Sequence, residues 1–169
     1  MANLPDDLFL IDPPDDLKQL YCAIGKAIVT WSIVERFLDM CILIIYHSYA
    51  LTLPDLKEIP HSLTNKTKFV KKALKDSNVL LPFSDEGRKL MNRINVLKND
   101  RHNLSHGMLL DIYTDSFDIQ KFEYKKHTYD DKKIPIKIKD CLHLGNKFLD
   151  LANELAYFFR RRLLRQEGP

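Results

Sequence analysis

The chain has 169 residues, enough for one domain with a real core and short for two. Hydrophobic residues make up 45%, charged residues 29%, and the formal charge is +3, which reads as a soluble globular protein. Three cysteines without metal-type spacing exclude a disulfide framework and a zinc site of the usual kind.

Five aspartates (Asp6, Asp7, Asp12, Asp15 and Asp16) precede any lysine or arginine, and Pro5, Pro13 and Pro14 lie among them. Residues 1–16 are therefore expected to form an extended arm, without the basic start of a secretory leader. A long first helix is expected from Leu17, with Leu17, Leu20, Tyr21, Ile24, Ile28, Trp31, Val34, Leu38, Cys41, Ile42 and Ile45 recurring at threes and fours. Over residues 40–46 it becomes apolar on all sides, which calls for enclosure by its own domain or by a second subunit. This is the longest apolar run, far below the roughly 20 residues needed to span a bilayer, so a cytoplasmic protein without membrane contact is expected. Cys22 and Cys41, 19 residues apart on one helix, stand about 28 Å from each other and cannot pair. With Cys141 they are expected to be small core residues.

Pro54 and Pro60 bracket a loop, and Ser62 suits the cap of a second helix running to about Lys75. Its Lys66, Lys68, Lys71, Lys72 and Lys75 form an acid-free lysine run; such a patch attracts nucleic acid through counterion release, or is simply a solvated face. Ser84 with Asp85 and Glu86 marks the start of a third helix reaching Gly107. After it, residues 109–113 and 117–124 suggest a small hairpin, with residues 134–138 as an extra strand. A fourth helix is expected over residues 140–164. Four amphipathic helices make an antiparallel bundle the natural solution, so the expected class is all-α, with a small β-hairpin insertion before the last helix.

The third helix carries a conflict. Leu90, Ile94, Leu97, Arg101 and Leu104 share one stripe, and a guanidinium in an apolar seam needs an anionic partner, an interface or a wet cleft. The alternative is that the helix ends near Asp100 and Arg101 reaches solvent. The segment reads Arg101-His102-Asn103-Leu104-Ser105-His106-Gly107, and the first helix contains Trp31-Ser32-Ile33-Val34-Glu35-Arg36. Together these resemble the HEPN family (higher eukaryotes and prokaryotes nucleotide-binding), whose signature is Arg, a polar residue, a short spacer and His. The resemblance covers residues 17–166, and His102 stands where the family more commonly has Asn. It implies a homodimer with one composite cleft and a metal-independent endoribonuclease of toxin or phage-defence type, under the control of an antitoxin or other regulatory partner. It equally admits a catalytically silent interaction module or a nucleotide-binding domain. A tyrosine two residues after the motif histidine, the target of one mode of antitoxin control, is replaced here by Met108.

The residues carry their own chemistry. An imidazole, with an unperturbed pKa of about 6.5, can take or give a proton near neutrality, which suits His106 for RNA cleavage by 2′-hydroxyl attack. Arg101 offers a planar fork to the phosphorane oxygens. In an unbroken helix the two diverge by about 140° and 7.5 Å, so a break at Gly107 or a twofold mate is required to bring them together. Supporting candidates are His102 as a second imidazole, Asn103 and Ser105 to orient phosphate or a ring, and Asp100 to bind Arg101 or fix a tautomer. Each also has a bland reading as a cap or surface residue. Glu35 is a further candidate, as a cleft carboxylate toward Arg101 or in a surface pair with its neighbours. RNA contacts are expected at Lys68, Lys71, Lys72 and Lys75. His102 and His106 have the spacing of two metal ligands, but Asn103 stands where a zincin needs Glu, so neither metal nor cofactor is expected.

Overall fold

The computed structural model describes residues 15–49, 58–113, 115–125 and 128–165. The chain is mostly helical, with a small three-stranded antiparallel sheet. Helix α1 spans Asp15–Tyr49, two residues earlier than Leu17, so Asp15 and Asp16 belong to the helix; the rest of the expected arm lies outside the described residues. Its inward line is Leu20, Ala23, Ala27, Trp31, Val34, Leu38, Cys41, Ile42, Ile45 and Tyr49, the spacing that keeps one face on a core. Within the apolar run, Leu43 stays exposed while Cys41, Ile42 and Ile45 are enclosed, so the chain's own core covers most of it. Cys22 is exposed, contrary to the expected core role, because it lies on the side of α1 away from that line. Among the described residues no helix is long and apolar enough to cross a membrane.

Helix α2 (Leu63–Asp76) is capped by Ser62, whose hydroxyl accepts from the Asn65 amide at 3.3 Å. After a 3₁₀ turn at Leu81–Phe83 containing Pro82, α3 runs over Ser84–His106. Ser84 does not cap it: the residue is already helical and buried, and Asp85 and Glu86 supply negative charge to the first turn. Gly87 lets α3 approach its neighbours closely; a Cβ there would collide with Leu74 of α2 and lie 3.0 Å from the Phe158 ring.

Strands β1 (Met108–Ile112), β2 (Ser116–Lys125) and β3 (Thr128–Lys137) pair in sequence order. The expected hairpin is thus a three-stranded meander, its last strand longer than residues 134–138. Ile138 leaves the strand and opens helix α4 (Ile138–Phe158), where it is buried. Phe117 and Ile119 of β2 face the core together with Ile134 and Ile136, their cross-strand partners. A bulge between Leu109 and Asp111 lets Leu109 pack on the core while Asp111 joins Asp118 on the other face. There Lys133 bridges Asp111 at 2.9 Å and Asp118 at 2.8 Å, and the Tyr113 hydroxyl donates to Asp118 at 2.9 Å.

Helix α4 packs along α1, with Gly145 seated against Lys26 and Ala27, and ends in a π-helical turn at Phe159–Leu164. Phe148 of α4 meets Trp31 edge-on, ring centres 4.8 Å apart. All four helices and the inner sheet face contribute to one core.

Candidate functional site

The C-terminal turns of α3 hold the motif. The helix continues without a break through His106, and Gly107 then takes extended backbone and donates its amide to the Asn103 carbonyl at 2.9 Å. A Cβ on Gly107 would lie 2.6 Å from that carbonyl oxygen and 2.8 Å from Ile119, so glycine allows β2 to close onto the helix end. Arg101 and His106 of one chain therefore diverge as in any regular helix. The break falls after the histidine and does not turn it toward the arginine.

Arg101 is not sealed in an apolar seam. Its side chain is 32% exposed and faces Glu35 of α1 across 3.5 Å. The same Glu35 oxygen accepts from the Trp31 indole at 2.7 Å. Trp31 is itself buried against Phe148, so a core aromatic fixes a carboxylate that in turn aims the guanidinium. The four-residue spacing of Trp31 and Glu35 is the sequence signal for that bond. Its extension to Arg101 depends on how α1 and α3 pack, which no local pattern encodes.

His102 and His106 come together, ring centres 4.7 Å apart and planes tilted by 48°, on the exposed side of the helix end. Partial shielding of its ring, then the nearby charges of His106, Lys121 and Arg101, push the His102 pKa below the ordinary histidine value. Lys121 of β2 was not among the expected site residues. The meander brings it there.

The other expected residues divide. The Ser105 hydroxyl donates to the Arg101 carbonyl at 3.0 Å and to the His102 carbonyl at 3.4 Å, so it is engaged with its own helix. Asp100 and Asn103 lie on a different side of α3 from the histidines and line a cleft of about 360 Å³. Leu104 forms part of its apolar lining, residues 134–136 of β3 one wall, and Asp140, His143 and Lys147 of α4 the far rim. The Asn103 Oδ1 is buried and has no hydrogen-bond partner among the described residues. Of the α2 lysines, Lys71 donates to Asn92 at 2.7 Å and Lys72 pairs with Asp76 at 3.0 Å, while Lys68 and Lys75 are exposed. Burial pushes the Cys41 thiol up to about 12 and the Cys141 thiol up to about 11, which removes both as nucleophiles at neutral pH. Among the described residues no group of three or more histidine, cysteine or carboxylate side chains is arranged to hold a metal.

Compared with family models, with curated proteins and with solved structures, the chain gives no match.

Proposed function

We propose that the chain is a HEPN-like domain, its four helices forming an antiparallel bundle, which dimerises and cuts single-stranded RNA without metal in a toxin or phage-defence role. The observation that carries this reading is the end of α3, where a partly exposed guanidinium held by Glu35 acts on His102, whose exposed ring pairs with that of His106. In the proposed reaction the 2′-oxygen attacks phosphorus and the bond to the 5′-oxygen breaks. His106 exchanges the protons, one leaving the 2′-hydroxyl and one reaching the departing 5′-oxygen. Arg101 neutralises the charge that builds on the phosphorane oxygens. Because the two diverge on one helix, the cleft takes Arg101 and His106 from two copies of the chain related by a twofold axis. The lysines of α2, Lys68 and Lys75 foremost, supply a salt-sensitive attraction for the RNA backbone. An antitoxin or regulatory partner would act by covering this cleft.

The test is cleavage of single-stranded RNA in excess chelator. The expected products are a 2′,3′-cyclic phosphate and a 5′-hydroxyl, with Arg101→Ala and His106→Ala each slowing the reaction by about two orders of magnitude or more. A requirement for added divalent metal overturns the mechanism. One observation favours a second reading, a silent dimerisation or nucleotide-binding module. Arg101 already has an internal carboxylate anchored by Trp31, the arrangement of a structural tie. Intact RNA with a dimeric, folded protein would select it.

A further inference from the structure

The paired imidazoles have a use that proton transfer does not absorb. His102 and His106 stand four residues apart on one helix face, the separation at which two histidines reach a single ion. A metal–nitrogen bond of about 2.0–2.1 Å puts an imidazole centre roughly 3.2 Å from the ion; two rings at octahedral to tetrahedral angles then have centres about 4.5–5.2 Å apart. The observed separation of 4.7 Å lies within that interval. Both residues are exposed, so an ion arrives with its waters and loses only those the rings replace. The neighbouring Ser105 side chain is turned onto its own helix backbone and does not compete for the position.

We propose that His102 and His106 form a two-ligand site for a divalent transition metal of the zinc, nickel or copper class, and that its occupancy switches off the proton transfer assigned to His106. With no third protein ligand grouped there among the described residues, water completes the coordination, so binding is reversible and regulatory, unlike a structural zinc. A metal bond uses the lone pair that would otherwise accept the proton, so an occupied site and a working His106 exclude each other. Arg101, one of the charges acting on His102, opposes a dication, and Glu35 offsets it. The inhibitory consequence rests on the ribonuclease reading, whereas the site itself does not.

The experiment is calorimetric titration of the chelator-treated full chain with zinc chloride, in parallel with RNA cleavage at the same zinc concentrations. The expected result is a site whose affinity falls at least about tenfold in His102→Asn and in His106→Asn. Zinc affinity unchanged in both asparagine variants overturns the proposal, since the remaining histidines then account for binding. Cleavage undiminished when the site is saturated overturns the switch. Zinc binding that needs both histidines, in a protein that cuts no RNA, supports the site and instead removes the ribonuclease reading.

Discussion

Arg101 shows how a residue out of pattern can be located in sequence while its environment stays hidden. Its place on an apolar stripe marks it as unusual, and the structure resolves the conflict by leaving its side chain one-third exposed and giving it Glu35. An ion pair of that exposure contributes little to folding, within about 1 kcal/mol. Arg101→Ala and Glu35→Gln are accordingly expected to leave the urea-unfolding free energy within about 1 kcal/mol of the parent, which makes activity and stability separable at this position. A loss well beyond that in either variant would mean that the tie is structural. Asn103 was a supporting candidate by its place in the motif, but the cleft around it had no such marker in the sequence. Asp140, His143 and Lys147 look like an ordinary solvated face of a helix until β3 and α3 are packed beside it.

At the scale of the elements, periodicity made α1, α2, α3 and α4 readable, because burial of one face repeats at the helical period. The sheet was less readable. Thr128 to Lys137 pairs with β2 along its length, although residues 128–133 are largely polar and offer little apolar alternation to announce a strand. The bulge in β1, which moves Asp111 away from the core face of Leu109, follows from pairing rather than from composition. Its outcome is a charged clamp with a defined pH response. The hydrogen bond from Lys133, joined by that from Tyr113, holds the nearly buried Asp118 below its ordinary 3.8 against an opposing contribution from burial. A carboxylate depressed by folding stabilises above its unfolded pKa and loses that contribution as pH falls through the folded value, so the window lies below about pH 4. Lys133 is shifted upward by its hydrogen bonds to Asp118 and Asp111, so its contribution is present below its unfolded pKa and is lost only in strong alkali. Thermal unfolding of Asp118→Asn and parent should differ at neutral pH and converge as pH is lowered from 5 to 2.5; a constant gap would contradict the clamp. A second element-scale expectation concerns Gly87, where any Cβ meets Leu74 and Phe158. Gly87→Ala should cost about 1–3 kcal/mol through overpacking, despite the better helix propensity of alanine, measured by equilibrium denaturation.

Between Lys18 and Arg36 the outer face of α1 carries no charge. Tyr21, Cys22, Gly25, Ile28, Val29 and Ser32 are on the side of the helix away from its buried line, and Tyr21, Ile28 and Val29 are 54%, 40% and 60% exposed. Ile28 sits seven residues before Glu35, two helical turns along the same edge, so this face runs about 10 Å up to the carboxylate that meets Arg101. A second copy seated there would cover the apolar surface and bring a second motif toward the first, which is what two diverging site residues on one helix require. Sedimentation at micromolar concentration should report a dimer, and Ile28→Glu with Val29→Glu should shift it to monomer, because like charges introduced into an isologous patch oppose each other across the axis. Both positions are exposed, so the monomeric variant should keep the parent's helical content and melt near it. If the cleft is composite, that monomer should lose RNA cleavage as completely as His106→Ala, although every motif residue is intact. Full activity in a strictly monomeric variant would place the reaction within one chain and remove the need for the twofold mate.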